Sequence, residues 1–501
     1  MTTKILTQCA TKYPFDPLDR CFTLQLTTEF MTISSIEPLW IGFNKGFISL
    51  VEMFSRFMFF PVGEMPLIVL WLFLGILFAS IRMGFINLRG FVHALDILRG
   101  KYAEEEGQDA GEVSHWQAFT TAVSGTVGLG NIAGVAIAIK MGGPGAILWM
   151  IVGGFLAMNC KFVECTLGQK YRIVHADGTI LGGPMCYLKE GLTEQGHPCL
   201  GEWLSRLFCI CCIGSSLGAS SMFQVNQSYG AVSYVFPIPN WIYGLFLTVL
   251  TAIVILGGVK RIAQVTSFLV PVMCGLYVLG SLVVLIHDAA AIPAALKTIV
   301  VGAFHPEASI GGVFAVMAQG LRRAVFASEA GLGVSSIAHA ASRTHEPVRE
   351  GLVAMLEPTA DAGLICTLTG LVLITTGVYQ DPNLADLSGS ALTSIAFEQV
   401  IHWFPVILAL AVICFAFSTI ISVSYYAEIS WTYLLGINTS IYKLLLLSAV
   451  FLGAIVNPLT VLEFSDSLFL GMSFPNLLGI YFMSGAVSQD LKTYTDRYGL
   501  T

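Results

Sequence analysis

Two short stretches of this chain carry residue types that could do chemistry inside an otherwise apolar helix. The first reads Ser124-Gly125-Thr126-Val127-Gly128-Leu129-Gly130-Asn131, and the second reads Ser328-Glu329-Ala330-Gly331-Leu332-Gly333. Each places a Gly-Leu-Gly beside polar side chains, Asn131 in one and Glu329 in the other. Glycine costs a helix about 1 kcal/mol per residue relative to alanine, so both stretches are points where a helix gives way. Unwinding there bares N–H groups that attract a carboxylate and carbonyls that can ligate a cation. Glu329 could hold a substrate ammonium, bind a cation or carry a proton; its structural alternative is a pair with Arg322 or Arg323.

The elements that must position these breaks follow from composition. Of 501 residues, 55% are hydrophobic and only 11% charged, with mean hydropathy +0.76. A soluble domain carries about 25% charged residues, so a cytosolic enzyme, a secreted domain and a disordered scaffold are excluded. Apolar runs of about 20 residues can each cross a bilayer as a helix. We place spans near 66–85, 116–140, 145–168, 203–230, 240–259, 266–287, 311–341, 354–378, 402–426, 441–456 and 464–485. Spans two to six and seven to eleven form two halves, and each break falls in the first helix of its half. Glycine-interrupted segments in matching places of two halves point to a midplane binding site in a secondary transporter. Most of the cysteines lie in apolar runs and read as packing residues, with no metal-type pair of CxxC motifs.

Basic residues set direction. Arg82, Arg89, Arg99 and Lys101 follow the first span, Lys170, Arg172 and Lys189 the third, Lys260 and Arg261 the fifth. Arg343 and Arg349 follow the seventh, Lys492 and Arg497 the last, while 379–401 and 457–463 have no Lys or Arg. Positive residues stay cytoplasmic, which predicts an outside N-terminus and a cytoplasmic C-terminus in a plasma (inner) membrane. Residues 1–35 form an N-terminal extension without signal-peptide features. Residues 36–61 are apolar but carry Lys45, Glu52 and Arg56 on one helical face, as in a helix lying in the interface. The remaining expected divisions are 62–100, a first transmembrane helix outside the halves; 116–287 and 311–485, the halves; and 486–501, a cytoplasmic tail.

Enzyme motifs are absent. No GxxxxGK[ST] is present, so ATP does not drive the protein directly, and no HExxH or Ser/His/Asp order stands out. Uphill transport would have to draw on an ion gradient.

At this point the blocks are recognisable. TVGLGNIAGVAIAI, MGGPGAILWMIVGGFLAMNCKFVECTLGQKYR, GGPMCYLKEGL, GGVKRIAQVTSFLVPVMCGLYVLGS, QGLRRAVFASEAGLGVSSIAHAAS and FAFSTIISVSYYAE resemble the alanine/glycine:cation symporter family, in order from about residue 65 to 490. The resemblance implies import of alanine or glycine with Na+ on a LeuT-type fold: two inverted five-helix repeats preceded by one extra helix. Its substrate site would draw on Val127, Gly128, Leu129, Gly130 and Asn131, on Gln224 in MFQVNQ, on Ser328, Glu329, Gly331 and Gly333, and on Thr419 and Val423. Its Na+ site would use the neighbourhood of Gly125 and Gly128 with the hydroxyls of Ser418 and Thr419. The chain departs from the family at Val423, where a Trp is common, at Ser328 (Asn) and at Ala427 (Gly). A valine in place of an indole enlarges a pocket wall, which would shift specificity toward larger or D-amino acids.

Other polar residues are weighed singly. Glu164 pairs locally with Lys161, three residues before it. Asp361 and His339 read as structural, His339 packed or hydrogen-bonded, and Ser220, Ser221 and Gln227 as helix contacts. Gln117 and Asn131 must face the bundle or a cavity, because lipid rejects them. The expectation is thus an all-α polytopic membrane protein that imports small neutral amino acids with Na+ and without an organic cofactor. The alternatives are the same fold coupled to H+ with Glu329 as carrier, or a channel or receptor.

Overall fold

The computed structural model describes residues 56–62, 65–102, 111–305, 312–384, 389–401, 403–436, 438–456 and 466–499. The expected extension 1–35 and most of the interfacial helix at 36–61 lie outside them. Of the described residues, 81% are helical. Its described helices are α1 Leu67–Arg82, α2 Phe91–Leu98, α3 His115–Thr126, α4 Ala133–Gly142, α5 Ala146–Lys170, α6 Pro184–Glu194, α7 Pro198–Leu217, α8 Phe223–Val235, α9 Asn240–Ile255 and α10 Gly258–His287. The second half supplies α11 Ile292–Phe304, α12 Gly312–Ser328, α13 Ser335–Ala340, α14 Pro347–Ala354, α15 Thr367–Thr375, α16 Ser390–Glu398, α17 Phe404–Leu435, α18 Thr439–Gly453 and α19 Ser473–Tyr498. Two antiparallel strand pairs, Pro61–Val62 with Met65–Pro66 and Ile173–Val174 with Ile180–Leu181, are the β-structure of named strands.

Each expected apolar segment, so far as it lies in the described residues, falls mainly on helix. Among the described residues, six helices are long and apolar enough to cross a bilayer, and α3 with the segment after it makes a seventh, bent by 57°. Four more apolar helices are shorter, among them α1 and α9, so length and composition support six or seven crossings and the figure of eleven rests on the sequence. Outside the expected spans, Ile292–Phe304 forms α11 and Pro184–Glu194 forms α6, and α19 continues past 485 to Tyr498. Pro at the first or second position of α6 and α11 starts each helix where its missing N–H does no harm.

The outward faces are apolar, as lipid demands. On α10, Phe268, Leu279 and Ile286 are 74%, 63% and 73% exposed, which only a hydrocarbon surround makes favourable. Trp116, Trp241 and Trp403 stand exposed at or next to the starts of α3, α9 and α17, where an amphipathic ring suits the membrane interface. The basic connections gather at one end. There Lys170 pairs with Asp490 at 2.6 Å and Arg497 with Glu346 at 2.6 Å, and Arg172 donates to the carbonyls of Ala340, Ser342 and Thr344.

Inside, α5 packs against α1, α12, α13 and α14, while α17 packs against α3, α7, α8 and α10. The two broken helices run side by side between these groups, α3 against α13 and α4 against α12. An apolar core of Val127, Leu129, Ile132, Tyr277, Phe397 and Phe415 fills the space around the first break. Gln117, expected to face the bundle, instead closes the start of α3: Ser114 N donates to its Oε1 at 3.0 Å and its own N–H donates to Ser114 Oγ at 3.3 Å.

Candidate functional site

Both glycine stretches are unwound. In the first, α3 ends at Thr126, a single turn covers Leu129–Asn131, and α4 resumes at Ala133. In the second, α12 ends at Ser328 and α13 starts at Ser335, with Glu329, Gly331 and Gly333 at φ of 54°, 86° and 84°. Glu329 is one of two non-glycine residues at positive φ among the described residues. Such a conformation persists only where surroundings hold it.

Those surroundings are side chains from other helices. At the first break, Leu129 N donates to Gln224 Oε1 at 3.2 Å, so α8 supplies the acceptor that the helix lost. At the second, Gly331 N donates to Glu164 Oε1 at 2.8 Å, and Asn476 Nδ2 donates to the same oxygen at 2.6 Å. Asn476 Oδ1 in turn accepts from the Tyr187 hydroxyl. Glu164 therefore does not pair locally with Lys161, as expected from spacing. It is aimed at the break, and Lys161 reaches Glu357 at 3.1 Å and Ser335 at the start of α13. A Cβ at Gly333 would lie 2.7 Å from Pro184 Cγ and 2.8 Å from Asn476 Oδ1, so glycine is required there for space as well as for φ.

Between the breaks lies a cavity of about 80 Å³, several times the roughly 10–15 Å³ one water needs. Of the residues expected at the site, Gly125, Gly128, Gly130, Gln224, Glu329 and Thr419 line it. The others do not. Val127, Leu129 and Asn131 are buried off the lining, Ser328 is fully buried, Gly331 and Gly333 face Leu72 and Pro184, and Val423 is buried one turn beyond Thr419. The hydroxyl pair expected for Na+ is split: Thr419 Oγ1 donates to the Ser124 carbonyl at 3.0 Å, whereas Ser418 Oγ donates to Phe415 O at 3.0 Å, away from the break. Ser124, which the resemblance did not single out, is thus where the first break and α17 meet. Its Oγ also donates to Ser418 O at 2.7 Å and accepts from Ser422 at 2.9 Å.

Sequence reasoning missed one end of the cavity. Arg323, Phe326, Asp466 and Phe469 line it there. Phe326 and Phe469 stack at 5.3 Å, and Arg322 sits 3.6 Å from Asp466 and over the ring of Phe59. Arg322 therefore partners Asp466, and the pairing of Glu329 with Arg322 or Arg323 is not formed. The signal was present: an Asp at the head of an apolar span is an ionisable group at membrane depth. Glu329 Oε2 and both polar atoms of the Asn131 side chain have no hydrogen-bond partner among the described residues. Taken together, bare main chain, an amide, a hydroxyl, a carboxylate and a guanidinium converge on a space of amino-acid size.

Two substitutions test this arrangement. A Cβ at Gly128 would lie 2.7 Å from Thr419 Oγ1 and 3.3 Å from Gln224 Nε2, although its φ of -130° suits any residue. Gly128→Ala is therefore expected to fold normally yet abolish ligand binding, measured by thermal shift with and without amino acid. Glu164→Ala leaves two buried donors without an acceptor, roughly 1–3 kcal/mol each; denaturation in detergent should show a loss of that order, and unchanged stability would contradict the contact's role.

Known proteins identify the family and the fold. The sequence profile described as the sodium:alanine symporter family matches residues 48–499. The sodium/alanine symporter AgcS of Methanococcus maripaludis is 37% identical, over 90% of this chain and 98% of its own. The amino-acid carrier protein AlsT of Bacillus subtilis is 32% identical, over 83% and 87%. Among solved structures, a Na+-coupled sialic acid symporter in a substrate-bound outward-open state aligns with TM-score 0.53 at 12% identity, covering 84% of this chain and 91% of that one. MhsT in complex with L-phenylalanine aligns at 0.52 and 14%, covering 74% and 88%. These likenesses establish the LeuT-type fold, and the chain is a membrane transporter, not an enzyme, belonging to the sodium:alanine symporter family.

Proposed function

We propose that the protein imports small neutral amino acids, alanine and glycine with D-alanine included, by symport with Na+ through alternating access. The observation that carries this reading is the cavity between the two breaks, with Gly128 main chain, Gln224 and Thr419 on one wall and Glu329 on the other. A zwitterion needs an anion-binding end and a cation-binding end. Half-helix dipoles at the first break and the Arg323 guanidinium serve the carboxylate, and the Glu329 carboxylate serves the ammonium. The cavity of about 80 Å³ is consistent with a small amino acid.

Na+ is a hard cation that prefers oxygen donors. The Ser124 carbonyl and Thr419 hydroxyl, already 3.0 Å apart, are the donors we assign to it, with carbonyls near Gly125 and Gly128 completing the set. Relatives named a sodium/alanine symporter and an amino-acid carrier protein support the choice of ions and substrates. The alternation of basic connections supports an outside N-terminus and a cytoplasmic C-terminus. The divisions read from sequence, an extra helix at 62–100 and repeats at 116–287 and 311–485, place one break at the head of each repeat.

Uptake into proteoliposomes measures this directly. Labelled glycine, L-alanine and D-alanine are expected to accumulate only with an inward Na+ gradient, and leucine or phenylalanine poorly. Accumulation driven by a pH gradient in Na+-free vesicles would replace Na+ by H+ as the coupling ion. Flux without exchange of labelled for unlabelled substrate would indicate a channel and overturn the reading.

A further inference from the structure

Away from the cavity, five titratable side chains form an unbroken buried ladder. Lys161 Nζ lies 3.1 Å from Glu357 Oε2, and Glu357 Oε1 lies 2.8 Å from His339 Nε2. His339 Nδ1 lies 2.5 Å from Glu350 Oε1, and Glu350 Oε2 contacts His115 Nδ1. The side chains of Lys161, Glu357, His339 and Glu350 are 0% exposed, and His115 is 11% exposed. Each of the four carboxylate oxygens thus meets one nitrogen. A neutral imidazole carries a single N–H, yet both nitrogens of His339 sit at hydrogen-bonding distance from carboxylates. One proton more than a neutral histidine and two carboxylates carry must therefore be present, whichever atom holds it.

With that proton the ladder balances: Lys161 and the His339 unit carry two positive charges against Glu350 and Glu357. Without it, an imidazole lone pair would face a carboxylate in a site closed to water, an arrangement the low dielectric punishes. The titratable and charged groups around His339 are Glu350 and Glu357 on and just after α14, with Lys161 on α5 and His115 on α3 reaching it through them, Cys165 on α5 beside it, and Arg172 on the carbonyls of Ala340 and Ser342 at the C-terminal end of α13. The ladder also joins separate bodies. His115 is its member on the first broken helix, His339 lies on the second, and Lys161 holds the start of α13 through Ser335.

We propose that this ladder is a proton-binding site that fastens the α3 start to α13 and α14, and that opening this end of the molecule releases the proton held between Glu350 and Glu357. Opening withdraws His115 from Glu350 and admits water. His339 then gives one N–H proton to water and becomes an ordinary histidine. Because the closed form binds one proton more, opening is favoured as pH rises, by up to about tenfold per pH unit for one proton. The proton site rests on the ladder's geometry alone; its place in a transport cycle rests on the alternating-access reading above.

The experiment is amide hydrogen exchange on the full-length protein in lipid nanodiscs from about pH 5.5 to 8.5, corrected for intrinsic exchange, the interval in which histidine titrates. Protection of peptides covering 112–126 and 335–346 is expected to fall with rising pH in the wild type, with a slope approaching tenfold per unit. His339→Gln should flatten that slope, and His115→Gln should lower protection of 112–126 at every pH. Glu350→Gln serves should His339→Gln fail to fold, and should flatten the slope likewise. A pH-independent wild type, or a slope that survives His339→Gln or Glu350→Gln, overturns the proposal. Alanine exchange in proteoliposomes at the same pH values separates the two readings: a His339-dependent slope without any amino-acid transport sinks the transport reading and keeps the proton site. Intact transport with pH-independent protection does the reverse.

Discussion

The fold depends on one constraint: a helix that unwinds inside a bilayer must find partners for its main-chain dipoles, because lipid offers none. Here the partners come from elsewhere in the chain. Gln224 takes the Leu129 N–H, and Glu164 takes the N–H of Gly331 while held by Asn476 and, through it, Tyr187. These contacts fix the two breaks open and determine which main-chain atoms remain to face a ligand. A break without such supports would close into helix or collapse onto its neighbours.

From that constraint the rest of the site follows. The glycines let α8 and α17 approach the first break closely enough for Thr419 and Gln224 to touch it. The two broken helices run side by side, so their bare segments enclose one space rather than two. At one end that space is lined by the stacked rings of Phe326 and Phe469 and by Arg323 and Asp466, the latter paired with Arg322. The ladder runs from His115 at the start of α3 to Lys161 inside α5, whose ammonium meets Ser335 beside the second break.

Much of this was legible in the residues. Hydropathy located the long apolar helices but not α6, α11 or α16, and paired Gly-Leu-Gly motifs located both breaks. What stayed hidden is what crosses the chain. Glu164 lies three residues from Lys161, and spacing alone makes them a local pair; only packing shows that one turn of α5 sends the carboxylate to Gly331 and the ammonium to Glu357. Ser418 and Thr419 are adjacent in sequence, and adjacency conceals that neighbouring helical positions point about 100° apart. Asp466 and the aromatic pair were hidden for the same reason, since nothing in one sequence says which helix ends meet. The rule that lipid rejects amides sends Gln117 to the bundle or a cavity; it caps α3 instead, because Ser114 stands three residues earlier.

The central claim is that two breaks, held by side chains of other helices, enclose the ligand. A cryo-electron microscopy structure of the protein in lipid nanodiscs with alanine and Na+ tests it most directly. The account predicts density for a small ligand among Gly128, Thr419 and Glu329, with Leu129 N–H on Gln224 and Gly331 N–H on Glu164. Continuous helical hydrogen bonding through 127–132 and 329–334, with ligand density elsewhere or no hollow between them, would contradict it.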